Sequence, residues 1–188
     1  DPVVSAVAAK LNVGEKSAPF RGKNISQNGE DYVYVVKVTE KTKNPPPPFT
    51  TSSLQQDASR RLGFAVKKTM MLAQRLYEAG FITYMRTDST RVSDDAIKMA
   101  KAYICKTYGE KYYLNRTYKT KSAAQDAHEA IRPTHVENQL ELTRDEEKLY
   151  NLILNRFLAS QMSVAVYDTT KIKINVEDYI FNINGRVI

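Results

Sequence analysis

Two residues whose types and spacing suit chemistry are Tyr84 and Arg86, in the run Gly80-Phe81-Ile82-Thr83-Tyr84-Met85-Arg86-Thr87-Asp88-Ser89-Thr90. A tyrosine hydroxyl, with a pKa of about 10, is a weak nucleophile at neutral pH. A guanidinium fixed beside it favours the developing phenolate and can hold a phosphodiester by two parallel hydrogen bonds. Those are the needs of a tyrosine that attacks a DNA phosphate. The local pattern predicts a helix stop at Gly80 and then a short extended segment. Ile82, Tyr84 and Arg86 would point one way, Phe81, Thr83 and Met85 the other. Tyr84 and Arg86 would then be neighbours on one face, about 7 Å apart at Cα. Taken alone, such a pair is met more often as a half-buried tyrosine beside a solvated arginine.

A second group lies in Ala127-His128-Glu129-Ala130-Ile131-Arg132-Pro133-Thr134. A short helix is expected over Ala123–Ile131, ended by Pro133. His128 and Arg132, four apart, would share its face, and both residue types contact phosphate. The alternative is that they orient a structural carboxylate such as Glu129.

The elements that must position these groups fall into three zones. The first ends near Lys43 and contains the strand Tyr32–Val38, β-branched and aromatic, with Phe20–Ile25 as its hairpin partner across the turn signal Asn28-Gly29. Asn44 and four prolines, Pro45–Pro48, follow as a stiff, extended boundary. The middle zone is helical. Helices are expected over Leu54–Leu62, capped by Ser53 and stopped by Gly63, and over Val66–Ala79, with Val66, Met70, Ala73, Leu76 and Tyr77 at helical spacing. Ser93 should cap a third, with Ile97, Ala100 and Ile104 as its buried stripe. Thr143-Arg144-Asp145-Glu146 fits a capping box opening a helix to about Gln161, with Leu149, Ile153 and Phe157 inward. Tyr108–Lys121 reads as a surface loop. The last zone alternates apolar and polar residues from Lys171 to Val176, turns at Glu177-Asp178, and continues over Tyr179–Ile183 towards the turn signal Asn184-Gly185. The resulting fold class is α+β: a mainly helical domain, residues 44–170, inserted into a β-rich domain built from residues 1–43 and 171–188.

Composition narrows the class. With 188 residues, 42% hydrophobic and 26% charged, the chain reads as an ordinary globular protein of one domain or two small ones. A single cysteine, Cys105, excludes a disulfide framework or a cysteine-based zinc site built from this chain alone. No apolar run is long enough for a helix to span a bilayer. The net charge of +7 favours a polyanion, nucleic acid or an anionic surface. A first residue that is not methionine and a last segment that stops inside a strand pattern suggest a piece of a larger protein.

Leu54-Gln55-Gln56-Asp57-Ala58, Arg61-Leu62-Gly63-Phe64, Lys67-Lys68-Thr69-Met70-Met71 and Ala73–Glu78, together with the tyrosine run and the His128 run, resemble the type IA DNA topoisomerases. The methionine between Tyr84 and Arg86 is most similar to the bacterial topoisomerase I branch. The resemblance extends from about Phe49 to Lys173. It implies a β-rich arch carrying a helical domain with the active-site tyrosine. Tyr84 would cleave one DNA strand and become linked to its 5′ phosphate, while Arg86 holds the scissile phosphate. His128, Arg132, Thr87, Asp88 and Glu129 would bind phosphate or support the site, Thr87 and Asp88 being equally suited to turn and cap roles. Lys67, Lys68, Arg60 and Arg61 would either touch DNA or form a solvated helix face.

The implied reaction relaxes negatively supercoiled DNA through strand passage and religates without ATP. Its Mg2+ is bound by a Toprim domain, whose Asp-x-Asp-x-Glu run is missing here, so this chain should hold no metal and be inactive alone. The implied partners are single-stranded and negatively supercoiled DNA and the remaining domains of the same polypeptide, in the cytoplasm at the nucleoid, with no membrane. A rival reading is a non-catalytic nucleic-acid-binding module on the same scaffold. Tyrosine recombinases and type IB enzymes also use a tyrosine, but form a 3′ link.

Overall fold

A computed structural model of the chain describes residues 20–25, 31–118, 128–136, 140–176 and 179–187. They fall into two compact units, one formed up to Lys43 and from Ala165 onward, the other Asn44–Val164.

The first unit is a four-stranded sheet in the order β1-β2-β3-β4, comprising β1 (Phe20–Ile25), β2 (Asp31–Lys43), β3 (Ala165–Val176) and β4 (Tyr179–Val187). Every neighbouring pair is antiparallel, with Phe20 opposite Val36, Val33 opposite Asn175 and Asp168 opposite Val187. β3 begins at Ala165, ahead of the alternation read from Lys171. Tyr167, Thr169 and Thr170 suit a strand, and the Thr169 hydroxyl donates to the Thr39 carbonyl at 2.9 Å, which ties that end of β3 to β2. Asn184-Gly185 is not a turn: β4 runs through both, with Gly185 opposite Thr170. Pairing along the ladder satisfies the glycine's backbone and outweighs its preference for turns. The expected turns Asn28-Gly29 and Glu177-Asp178 lie outside the described residues.

The second unit packs four α-helices: α1 (Thr51–Leu62), α2 (Val66–Glu78), α3 (Asp94–Thr107) and α4 (Arg144–Ser160). The cap of α1 is Thr50 rather than Ser53. The Thr50 N–H donates to Ser53 Oγ at 2.9 Å, placing Ser53 in the first turn as the returning half of a capping box. Gly63 ends α1 at φ 67°, the left-handed conformation that glycine adopts without a Cβ clash. At α4 the Glu146 carboxylate accepts from the Thr143 N–H at 3.0 Å and from its hydroxyl at 2.7 Å.

The core forms where α1, α2 and α4 bury Leu54, Leu76, Leu149 and Ile153 around Phe49, each such side chain contributing about 1.5–3 kcal/mol. A second cluster joins Ala96, Ala100 and Ile104 of α3 to Phe157 and Leu158 of α4. Ala96 takes the buried position expected of Ile97, which is half-buried. On α2 the buried residues are Thr69, Leu72, Ala73 and Leu76, while Val66 and Tyr77 face solvent. The proline run lies against this unit: the Pro47 carbonyl accepts from Arg156 at 3.4 Å and that of Pro45 from Tyr118 at 3.4 Å.

The helix expected over Ala123–Ile131 is not seen where the chain is described. Residues 123–127 lie outside the described residues, and 128–130 have no regular structure. Ile131 bridges Phe49 and Pro133 bridges Ile82, both antiparallel. The Ala130 and Ile131 N–H groups donate to Arg91 and Phe49 carbonyls at 2.8 Å each. Long-range partners thus satisfy the backbone that a helix would have satisfied locally.

Candidate functional site

The tyrosine run is a loop clamped on both sides. Gly80, at φ 77°, turns the chain out of α2, and the Phe81 N–H closes back on the Leu76 carbonyl at 2.9 Å. The loop is then laced to the segment after His128. The Thr83 N–H donates to the Arg132 carbonyl at 2.9 Å, the Arg132 N–H to Thr83 Oγ1 at 3.0 Å, and the Thr83 hydroxyl to the Ala130 carbonyl at 2.7 Å. Beyond Arg86, the Thr51 N–H donates to the Thr87 carbonyl at 2.8 Å.

Within this frame the side chains do not alternate as a strand. Ile82 alone among residues 81–86 forms a β-bridge, and Ile82 and Met85 are both buried, at 1% and 2% exposure. Two large apolar side chains three residues apart force a bend, so Tyr84 does not share the buried direction of Ile82. Tyr84 is 42% exposed and Arg86 is exposed as well. The Tyr84 ring meets that of Tyr77 edge-on, with centroids 5.3 Å apart, an arrangement favoured by the two ring quadrupoles. Among the described residues no carboxylate pairs with Arg86 and nothing hydrogen-bonds the Tyr84 hydroxyl. Both functional groups face solvent on a backbone held by buried anchors.

The flanking residues divide differently from the sequence expectation. Thr87 is buried, and its hydroxyl accepts from the Ser89 N–H at 3.0 Å, so its polar atoms serve the turn. Asp88 is exposed, and so is His128. With no helix at 128–131, His128 and Arg132 are not on a common helical face. Arg132 is committed to Glu129, with Nε at 3.0 Å and Nη2 at 2.5 Å from Oε2, and it also donates to the Pro133 carbonyl at 3.0 Å. Arg132 Nη2 also donates to Ser93 Oγ at the start of α3, at 3.3 Å, and Ser93 lies close enough to act on the Glu129 carboxyl. Burial pushes the Glu129 carboxyl up, but the Ser93 hydrogen bonds and the Arg132 charge outweigh it and hold it below the usual carboxylate range. The Arg132–Glu129 contact is that of the alternative reading, in which the basic residue orients a structural carboxylate. The shared helical face of His128 and Arg132 is absent. Thr51, Tyr77 and Thr83, which position the loop, carried no signal beyond standing near it in sequence or in a motif.

The sequence matches the DNA topoisomerase family over residues 14–188. The chain belongs to that family. It is 52% identical over 147 residues to DNA topoisomerase 1 of Pasteurella multocida, covering 75% of this chain and 17% of that protein. It is 50% identical over 153 residues to DNA topoisomerase 1 of Escherichia coli, covering 78% of this chain and 18% of the relative. The fold is similar to full-length topoisomerase I from Thermotoga maritima, with a TM-score of 0.68 at 38% identity over 98% of this chain and 29% of that one. The chain thus spans under a fifth of the length of the curated relatives it matches.

Of the basic residues on α1 and α2 of this topoisomerase chain, Arg60, Arg61 and Lys68 are paired with carboxylates. Arg60 and Arg61 reach the buried Asp57, at 2.5 and 3.6 Å, and Arg156 pairs with the same carboxylate. Lys68 pairs with Asp145 at 2.6 Å and lies 4.3 Å over the Phe64 ring. Lys67 is exposed. Among the described residues no group of three or more His, Cys, Asp and Glu side chains is placed to hold a metal ion. Magnesium, which the resemblance implies for the whole enzyme, has no donor set among them. No described helix is long and apolar enough to cross a membrane.

Proposed function

We propose that this chain supplies the nucleophile of a type IA topoisomerase reaction, with Tyr84 attacking a DNA phosphate and Arg86 holding it. The observation that carries the reading is the loop itself: an exposed tyrosine and, two residues on, an exposed arginine with no carboxylate partner among the described residues, fixed by the buried anchors Ile82 and Met85. Tyr84 Oη forms a bond to phosphorus and the 3′ oxygen of the cleaved strand leaves, so the 5′ end becomes a phosphotyrosine. The phenol proton departs and the 3′ oxygen gains one. The new ester keeps the energy of the phosphodiester, and the 3′ hydroxyl reverses the step without ATP once a strand has passed.

The Arg86 guanidinium neutralises a non-bridging oxygen and lowers the cost of the phenolate beside it. Thr83, Thr87 and Glu129 act through the backbone they hold, while His128, Asp88 and Arg132 border the site. The magnesium of the whole enzyme would belong to parts outside this chain, and no step here is routed through it. The helical unit would carry the chemistry, and the sheet would form the arch that lets it swing away for strand passage. The substrate is negatively supercoiled DNA opened to single strands, at the nucleoid in the cytoplasm.

The test replaces the matching segment of the Escherichia coli relative with this chain and compares it with its Tyr84→Phe variant. The parent should relax supercoiled DNA and leave a 5′-linked adduct when stopped with detergent. The variant should still bind single strands but leave no adduct. An adduct that persists in Tyr84→Phe, or one at a 3′ end, would overturn the assignment.

A further inference from the structure

We propose that Tyr77 is a positioning residue for the reaction, its ring setting the direction from which the Tyr84 hydroxyl attacks. The inference rests on the reading of Tyr84 as the nucleophile. The backbone on either side of Tyr84 is already fixed. The Thr83 N–H is held by the Arg132 carbonyl at 2.9 Å, and the Met85 carbonyl accepts from the Thr51 hydroxyl at 2.7 Å. What those bonds leave free is the Tyr84 side chain. Its χ1 has several staggered wells, which carry the hydroxyl at the far end of the ring to widely separated places. In-line attack on phosphorus uses only one of them. The hydroxyl makes no hydrogen bond among the described residues, and Tyr84 is 42% exposed. Among the described residues the Tyr77 ring, with its centroid 5.3 Å away and its plane at 65°, is the only ring that meets it.

Tyr77 is placed to act as a fixed wall. It stands on the last turn of α2, where the buried Ala73 and Leu76 anchor the helix. The carbonyls of that turn are taken up by the loop itself. The Phe81 N–H donates to the Leu76 carbonyl and the Gly80 N–H to that of Tyr77, both at 2.9 Å. Helix and loop therefore keep their spacing. The Tyr77 ring is not part of the core: it lies outside the buried stripe of Thr69, Leu72, Ala73 and Leu76 and is 39% exposed. The polar neighbours on the same turn, Gln74 and Glu78, pair with each other at 2.6 Å. An edge-on pair draws on the quadrupoles of the two rings, so the contact needs the ring of Tyr77 and not its hydroxyl. A pair of this kind favours one orientation about two- to tenfold.

The first arm of the test uses the chimaera with the Escherichia coli relative, in single turnover with an end-labelled oligonucleotide. Tyr77→Ala should slow adduct formation at saturating DNA about two- to tenfold. The DNA concentration that gives half the maximal rate should stay the same. Tyr77→Phe should keep the parental rate, whereas Tyr77→Leu, which returns bulk without a quadrupole, should stay slow. A phenylalanine variant as slow as alanine would assign the work to the hydroxyl and overturn the proposal. So would a raised half-saturating concentration with the maximal rate unchanged, which would place Tyr77 on the DNA strand instead. The second arm uses the 188-residue chain carrying ring-fluorinated tyrosine, in which the Tyr84 resonance is the one that Tyr84→Phe removes. By fluorine NMR, Tyr77→Ala should move that resonance, because the neighbouring ring current is gone, and Tyr77→Phe should leave it near its parental position. A Tyr84 resonance that does not move in Tyr77→Ala would overturn the ring contact. No cleavage enters the second arm, so its failure is distinct from failure of the nucleophile assignment, which an adduct persisting in Tyr84→Phe reports.

Discussion

Thr51 and Thr87 exchange hydrogen bonds in both directions. The Thr51 hydroxyl donates to the Thr87 carbonyl at 3.0 Å, and the Thr87 N–H donates to Thr51 Oγ1 at 2.9 Å. The same hydroxyl lies 2.7 Å from the Met85 carbonyl. The first residue of α1 is thereby pinned across the loop that bears Arg86. Thr51→Val keeps the shape but strands the Thr87 N–H, which should cost about 1–3 kcal/mol in urea unfolding. Thr51→Ser should restore most of it. A valine variant as stable as the parent would mean that the clamp is redundant.

Arg86 separates charge from geometry. It is exposed, so neither Arg86→Lys nor Arg86→Ala should change stability by more than about 0.5 kcal/mol. In the chimaera with the Escherichia coli relative, Arg86→Ala should slow adduct formation on the order of 10² to 10³. Arg86→Lys keeps the charge but loses the planar fork, and should fall between the alanine variant and the parent. The check is single-turnover cleavage of an end-labelled oligonucleotide. Equal rates for parent and alanine would remove Arg86 from the chemistry.

The buried acid of the helical unit gives a contrasting stability test. Asp57 is 4% exposed at its side chain and accepts from Arg156, whose guanidinium also lies 4.3 Å from the Phe49 ring centroid. Removing one partner of a buried pair leaves the other uncompensated, so Asp57→Asn should cost about 3–5 kcal/mol. Arg60→Ala, at an exposed side chain bridging the same carboxylate, should cost under about 1 kcal/mol. Calorimetry of the two variants compares them directly, and similar losses would refute the ranking.

Local signals were read well where the answer was local. Gly63 and Gly80 end their helices in the left-handed region, and Thr143 with Glu146 opens α4 as their spacing suggests. Leu149, Ile153 and Phe157 are buried on the face that a period of 3.6 assigns them. The β-branched run at Tyr32–Val38 lies in β2 and pairs with Phe20–Ile25. What stayed hidden depends on partners far along the chain. The stretch from His128 is short and apolar enough to read as helix, yet Phe49 and Ile82 capture Ile131 and Pro133 in bridges instead. Period-two reasoning at Tyr84 failed for a similar reason, since Ile82 and Met85 both find the core from a bent loop. The two chemical groups could be read because they stand two residues apart in the sequence; the long-range hydrogen bonds that hold their loop could not.

The Glu129–Arg132 pair makes part of that frame titratable. Glu129 is 19% exposed at its side chain and holds Arg132, which in turn reaches Ser93 at the start of α3. Its carboxyl is held below the usual range when folded, and an unfolded glutamate titrates near about 4.3. A lowered folded value means that the stabilisation is fully present above the unfolded pKa and is lost as pH falls through the folded one. Glu129→Gln removes the charge and cannot titrate. At pH 7 it should be less stable than the parent by about 1.5–3 kcal/mol, the range for hydrogen bonds to a charged group. The gap should narrow steadily below about pH 4.3, because the parent loses there what the variant never had. Urea midpoints measured in steps from pH 7 to pH 3 read the effect. A gap that stays constant over that range would show that Glu129 contributes by shape and not by charge.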